Sequence, residues 1–362
     1  MKYLKEFRDR QLTTSLIKRL EESVTGPMRI MEVCGTHTMA IFRNGLRSLL
    51  PEELELVSGP GCPVCVTSAG HIDAFISMAD QPRNHLAVFG DLFRVPGSNG
   101  SLSEASSRGA RVDIVYSPMD ALELAVKNPD ELVVFLGVGF ETTTPAVAAT
   151  IMAANVQKID NFIVFSTQKV MPPPLHALLG DPELNIDGLL CPGHVSAIIG
   201  SDAYLDFAKQ YGLSCVVAGF EAADILQGLI MLGRQHGEGR AEVENGYTRL
   251  VSREGNRRAR DMVDEVFEAV DSPWRGLGVI KDSGLAIREK YEQFDAEKRL
   301  KLTIEDVEEP KGCLCGQVLK GICRPPDCPL FGRRCTETNP IGPCMVSSEG
   351  TCAAYYKYGT GQ

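Results

Sequence analysis

Twelve cysteines among 362 residues are the side chains best able to do chemistry here, and their spacing divides them. Seven of them (Cys313, Cys315, Cys323, Cys328, Cys335, Cys344 and Cys352) fall in the last 50 residues; the others are Cys34, Cys62, Cys65, Cys191 and Cys215. In a reducing compartment such thiols serve as metal ligands or redox groups rather than as a disulfide framework. The tail has no histidine after His236 and no Cys-x-x-Cys knuckle. Structural zinc sites favour paired knuckles, whereas sparse all-cysteine ligation suits an iron–sulfur cluster, whose irons take four thiolates. Zinc and disulfides are the competing uses of the same thiols.

The second group sits in loops. Cys34 follows the apolar run Met28-Arg29-Ile30-Met31-Glu32-Val33 and precedes Gly35-Thr36-His37-Thr38, a turn into a helix. At such a helix start the backbone N–H groups and the dipole favour the thiolate, which is nucleophilic and binds metals. His37 lies one helical turn further on. The plainer reading of this turn is a buried cysteine with polar capping. Cys62 and Cys65 form a Cys-x-x-Cys in the loop Gly59-Pro60-Gly61-Cys62-Pro63-Val64-Cys65, ahead of a helix-like stretch Ala69–Ala79. Two sulfurs so spaced can close a disulfide or chelate one metal ion, or the pair is incidental to a structural loop. His71 and Asp91 are candidate neighbours, with an ordinary surface position as the alternative for each.

Two further loops carry polar groups. Gly137-Val138-Gly139-Phe140-Glu141-Thr142-Thr143-Thr144 loosely resembles a phosphate loop, but it lacks the Gly-Lys-Ser/Thr ending and does not match Gly-x-Gly-x-x-Gly. Glu141 then reads as a strand-end carboxylate. His194, in Cys191-Pro192-Gly193-His194, is either a site residue or a helix-starting histidine bonded to backbone.

These loops need a frame that gathers them. The first 250 residues alternate short apolar runs with helical patterns, as βα units do. Each unusual loop follows an apolar run, and parallel sheets place ligand sites beyond the carboxyl ends of their strands. Gly-Phe-Glu recurs at 139–141 and 219–221, and Cys-x-x-His at 34–37 and 191–194, which suggests a duplicated α/β unit. Two such lobes facing each other would form a cleft lined by the loops. Residues 256–269 read as a charged helix, and 295–311 as a polar stretch leading to the tail.

Composition narrows the function. Apolar residues at 44% and charged residues at 23% describe a chain that buries a sizeable core. With 47 acids against 37 bases the net charge is -10, without the basic field of a nucleic-acid binder. No apolar run approaches the roughly 20 residues that cross a bilayer, and the start turns charged too soon for a secretory signal. A soluble, cytoplasmic protein that engages neither nucleic acid nor membrane is expected.

Several loops together resemble one family. Met31-Glu32-Val33-Cys34-Gly35-Thr36-His37-Thr38, Gly59–Cys65, Gly139-Phe140-Glu141-Thr142-Thr143 and Pro192-Gly193-His194-Val195 are similar to motifs of the HypD family of [NiFe]-hydrogenase maturation factors. So are Pro326-Asp327-Cys328-Pro329-Leu330-Phe331-Gly332, Cys344-Met345-Val346-Ser347-Ser348-Glu349-Gly350 and Cys352-Ala353-Ala354-Tyr355-Tyr356.

The resemblance implies a scaffold, rather than a conventional enzyme, that assembles and carries the Fe(CN)₂CO group. It would work in a tight complex with HypC and receive cyanide from HypE. It implies an α/β fold of two Rossmann-like parallel-sheet lobes around a cleft, plus a third, Cys-rich region with a [4Fe-4S] cluster. The expected boundaries are 25–117 and 118–240 for the lobes, and 1–24 with 241–362 for the third region, its cluster within 313–352. Cys34 would hold the iron, shared with a cysteine of HypC, and Cys62 and Cys65 would be a redox-active pair. His37, His194 and Glu141 would stand behind the iron ligands, orienting them or moving protons.

The family's C-x₁₄-C-x₆-C-x₁₆-C spacing falls on Cys313, Cys328, Cys335 and Cys352. Cys315 and Cys344 would then be a possible redox pair beside the cluster, as in ferredoxin–thioredoxin reductase, and Cys323 an extra thiol; a shifted set using Cys315 or Cys323 is the alternative. No P-loop supports ATPase activity. The rival function is a thiol–disulfide oxidoreductase fed by the cluster.

Overall fold

The computed structural model describes residues 10–359. Its strands are β1 (Met28–Glu32), β2 (Leu54–Ser58), β3 (Asn84–Val88), β4 (Arg111–Ile114), β5 (Leu132–Gly139), β6 (Phe162–Gln168), β7 (Gly188–Pro192), β8 (Ser214–Ala218), β9 (Val243–Asn245), β10 (Phe267–Trp274) and β11 (Gly278–Ile287). They form a five-stranded sheet in the order β2-β1-β7-β8-β9, a four-stranded sheet in the order β4-β3-β5-β6, and the hairpin β10-β11. Every pairing within the two larger sheets is parallel. β3 and β8 are buried along their whole length, as expected of strands covered on both faces. The α/β reading with parallel-sheet lobes therefore holds.

The expected lobe boundaries do not. β3 and β4, assigned with β1 and β2 to residues 25–117, pair with β5 and β6 instead. One lobe is built from 28–58 together with 188–245, and the other, 84–168, is inserted between those pieces. Every parallel connection needs a crossover, so adjacency along the chain does not say which sheet the next strand joins. The chain crosses between sheets twice, and the first crossing, from β2 to β3, carries Cys62 and Cys65.

The third region also needs correction. The helix Arg10–Ser23 packs along the helix Ala222–Gly237 of the five-stranded lobe, with Ser23 against Gly233. Residues 1–9 of the expected 1–24 piece lie outside the described residues. β9, placed with the tail by the 240/241 boundary, extends the same sheet. The helix expected over 256–269 spans Arg257–Val266 and gives way to β10 at Phe267, because Phe267 to Val270 pair with the 284–287 end of β11. That hairpin covers the edge strand β6, with Ser166 Oγ donating to the Leu285 carbonyl at 2.8 Å. Among the described residues no helix is long and apolar enough to cross a membrane.

One apolar core joins the parts. Met31 and Val57 from one sheet, Leu86, Val134 and Ile163 from the other, and Cys315 and Cys344 from the tail belong to a single buried cluster. At the end of β2, Gly61 lies directly on the Cys34 turn: its carbonyl accepts from Gly35 N–H at 3.1 Å, and a Cβ on Gly61 would stand 2.3 Å from Cys34 N. No rotamer relieves a clash with backbone. Gly61→Ala is therefore expected to cost about 1–3 kcal/mol through overpacking. Gly90→Ala is the control, since its added carbon meets nothing closer than 3.6 Å. Calorimetry should show a lowered melting temperature for the first only, and equal values for both variants would contradict the backbone contact.

Candidate functional site

The carboxyl end of β1 positions Cys34. β1 ends at Glu32, and Cys34 caps the helix Gly35–Arg43 with extended backbone. Glu32 is buried; its two carboxylate oxygens accept from Thr38 Oγ1 at 2.5 Å and from Cys34 N–H at 3.3 Å. Burial pushes its pKa up to about 7, against the hydrogen bonds from Ser58, Thr38 and the Cys34 amide. The helix start does not make Cys34 a thiolate, as its position alone suggests. Burial raises its pKa to about 12, the negative charges of Glu349 and Glu32 add to that, and the N–H groups of His37 and Thr36 only partly oppose it. Desolvation outweighs the dipole.

Cys62 and Cys65 are joined as a disulfide across one short helix, Pro63–Val66, with Cα atoms 5.2 Å apart. Ser58 ends β2 beside Glu32 in register, so the disulfide loop and the Cys34 turn leave the sheet side by side. The tail closes over them. Thr36 Oγ1 donates to Glu349 Oε1 at 2.5 Å, and a Cβ on Gly35 would meet the Glu349 backbone oxygen at 2.6 Å. Next to it, Asp91 of the inserted lobe accepts from Ser347 Oγ, Ser348 N and Ser348 Oγ at 2.8, 2.9 and 3.0 Å. Residues 347–349 thus tie both lobes together at the Cys34 turn.

His37 is fully buried; its Nε2 donates to the Gly219 carbonyl at 2.9 Å, while its Nδ1 has no hydrogen-bond partner. Burial lowers its pKa to about 4, so the ring is neutral. Phe220 packs between His37 and His194, with ring centroids 4.7 and 4.0 Å away. His194 begins the helix Gly193–Ile199 and is exposed. Glu141 lies two residues beyond the end of β5: Oε1 accepts from Met171 N–H at 2.8 Å, and Oε2 is buried without a partner. Burial pushes this carboxyl up to about 7. Thr142 is exposed, whereas Thr143 and Thr144 turn inward, both hydroxyls reaching the Phe140 carbonyl and Gln168 Oε1, rather than opening as a phosphate cradle.

The expected cleft is a closed junction at this point. Cys34, Cys62, Cys65, His37 and Glu141 are all buried. Roomier cavities lie elsewhere, one of about 680 Å³ between β6 and the hairpin, beside His71, and one of about 910 Å³ near Arg83 and Arg299. His71 faces the first and bonds Ser68 Oγ at 2.6 Å. Cys191 and Cys215 are core residues of β7 and β8.

In the tail, Cys313, Cys315, Cys328, Cys335, Cys344 and Cys352 line one small cavity together with Leu314, Val318, Leu330 and Phe331; Cys323 does not line it. Cys315 hydrogen-bonds Cys344, which with burial pushes its thiol up, opposed by the Arg275 charge. Cys344 Sγ accepts from Cys352 N–H at 3.2 Å.

Sequence reasoning passed over Glu32 and Glu349 as site residues. Glu32 carried a signal, because it ends an apolar strand, much as Glu141 follows one. Glu349 stood within the motif Cys344–Gly350, but nothing in it pointed to its partner, since only the folded tail brings it 313 residues back to Thr36.

Comparison with known proteins identifies the family. Residues 11–359 match the family described as HypD, hydrogenase formation hypA family. The chain is 48% identical to the hydrogenase maturation factor HypD of Azotobacter vinelandii over 368 residues, covering 99% of this chain and 97% of that protein. It is 46% identical to the factor of the same name from Escherichia coli (strain K12) over 366 residues, covering 99% and 98%. With that of Rhodobacter capsulatus it shares 46% over 371 residues, again covering 99% and 98%. A match of this extent covers both lobes and the cysteine-rich tail, and the chain therefore belongs to the HypD family of hydrogenase maturation factors.

Proposed function

We propose that this hydrogenase maturation factor works as a cytoplasmic scaffold on which the Fe(CN)₂CO group is assembled, with HypC as its tight partner and HypE supplying cyanide. The observation that carries the reading is the meeting of three distant turns: Cys34, the Cys62–Cys65 loop and Glu349, joined through Gly35–Gly61 and Thr36–Glu349 contacts. Cys34 takes the cargo iron. A lone soft thiolate suits low-spin iron with cyanide and carbonyl ligands and leaves coordination positions for a cysteine of HypC. Glu32 holds the Cys34 amide, and His37 and Glu141 each keep one buried polar atom without a partner. Those atoms are suited to orient ligands or to move protons, with His194 at the solvent side.

The donor set of the tail fits a [4Fe-4S] cluster held by Cys313, Cys328, Cys335 and Cys352. Among the described residues no three His, Cys, Asp or Glu side chains group as a single metal-ion site. A cluster asks for something different, because each of its irons takes one thiolate and the ligands need only surround a common cavity. When bound, the cluster supplies an electron store. Cys315 and Cys344 lie on the same cavity, and the helix Pro343–Val346 that carries Cys344 packs on the helix Pro63–Val66 that carries Cys65. That packing equally favours a second reading, a cluster-fed thiol–disulfide oxidoreductase, which would need no iron on Cys34.

The following outcomes are expected. Protein purified anaerobically should contain about four iron and four sulfide per chain. Single Cys→Ser changes at 313, 328, 335 and 352 should abolish or alter the cluster while Cys323→Ser does not, and zinc in place of iron would sink the assignment. Alkylation with mass spectrometry should find Cys62 and Cys65 as a disulfide before reduction and as two thiols after it; a pair that never opens would remove the redox role. Infrared spectra of the HypC complex should show cyanide and carbonyl bands for the wild type and lose them in Cys34→Ala, whose tail cluster stays intact. Full-intensity bands in that variant would leave the oxidoreductase reading standing.

A further inference from the structure

The turn between β10 and β11 is wedged between two cysteine-bearing helices. On one side it grips the residues just after Cys65: Arg275 N–H donates to the Val66 carbonyl and Arg275 Nε to the Thr67 carbonyl, both at 2.9 Å, and Thr67 bridges to Trp274. On the other side it abuts the residue just after Cys315. A Cβ on Gly276 would stand 2.2 Å from Gly316 Cα, so the two glycine backbones touch. Gly276 also needs its left-handed φ of +71° to make the turn. Arg275 is buried although its side chain is charged, and its Nη1 is paired with Glu309 of the segment leading into Cys313. A buried guanidinium is costly to retain. This one spans from the disulfide helix to the tail.

We propose that Arg275 is a positioning residue for electron delivery, holding the Cys62–Cys65 helix in register with the Cys315/Cys344 pair. The inference rests on the redox reading given above. In the exchange it serves, one sulfur of the Cys315/Cys344 dithiol attacks one sulfur of the Cys62–Cys65 disulfide, whose S–S bond breaks. The second sulfur of the donor pair resolves the mixed disulfide, so a Cys315–Cys344 bond forms and Cys62 and Cys65 take up the two protons. To restore the donor dithiol, two electrons from an external one-electron donor and two protons from solvent are needed; a cluster held by Cys313, Cys328, Cys335 and Cys352 would relay those electrons singly. Attack on a disulfide needs the three sulfurs nearly in line, and a small displacement of one helix removes that geometry. Lysine could replace only part of the contact, because a single ammonium does not reproduce the forked reach of the guanidinium to Thr67 and Glu309.

The test uses the full chain with its cluster and an oxidised Cys62–Cys65 pair, reduced with photoexcited deazaflavin and followed by acid quench, alkylation and mass spectrometry. Arg275→Met should slow opening of the Cys62–Cys65 disulfide about tenfold or more, with Arg275→Lys in between. Iron and sulfide content should not change. Direct opening by dithiothreitol should keep its wild-type rate, which a general loosening of the loop would not allow. If Arg275→Met fails to fold, Glu309→Gln, which keeps Arg275 and a hydrogen-bond acceptor, should slow the internal reaction in the same direction. Wild-type rates in the folded variants would overturn the role of Arg275 and leave the redox reading intact. Failure of the wild type to open when its cluster is reduced would overturn both.

Discussion

Two backbone segments meet at the Cys34 turn, where the Gly61 carbonyl accepts from the Gly35 amide at 3.1 Å. Nothing larger than a hydrogen at Gly61 leaves room for that approach. The contact sets the distance between a lone cysteine at the end of β1 and a disulfide after β2. It also decides where the tail can close, because Gly35 presents bare backbone to Glu349 on its other side. Parallel pairing of β1 with β2 brings both turns to the same sheet end, and the two glycines let them touch.

Closure has an electrostatic consequence. Removing water from this junction disfavours every charged form in it. Glu32 and Glu141 are raised to about 7, while His37 is lowered to about 4. The contribution of the acids to stability is fully present below their ordinary carboxyl value and is lost as pH rises through 7. His37 acts in the opposite sense: its contribution is present above its ordinary value and is lost as pH falls through 4. All three are neutral together only between those limits. The buried surroundings of these groups are therefore a poor resting place for ions.

Interleaving the lobes links this pocket to the tail. Because the four-stranded lobe is inserted into the other, the chain crosses between sheets at Cys62–Cys65 on the way out and at 169–187 on the way back. Such a crossing is fixed at both ends, and on the first of the two the hairpin packs through Arg275 and the tail through the helix Pro343–Val346. The same buried cluster therefore contains Cys62, Cys65, Cys315 and Cys344 although some 250 residues separate the pairs.

Local order carried much of this. A strand, a glycine-flanked turn and a helix start are set by neighbours in sequence, so the placement of Cys34, Cys62, Glu141 and His194 at strand ends was legible, as was the helix Ala69–Ala79, which occurs with those bounds. Cys323, left over as an extra thiol by the family resemblance, is the tail cysteine that does not line the cavity shared by the other six. What periodicity could not reveal was which sheet each parallel strand joins, since crossover connections look alike in either case. Nor could it decide between the two readings of Cys34, a thiolate favoured by the helix start and a buried cysteine with polar capping. Burial belongs to the assembled molecule, and here it is imposed by Glu349 and Gly61, which reach Cys34 only when the tail and both sheets have packed. Arg275 is the extreme case: an ordinary charged residue in a hairpin turn, made a strut between two cysteine helices by contacts that no stretch of local sequence encodes.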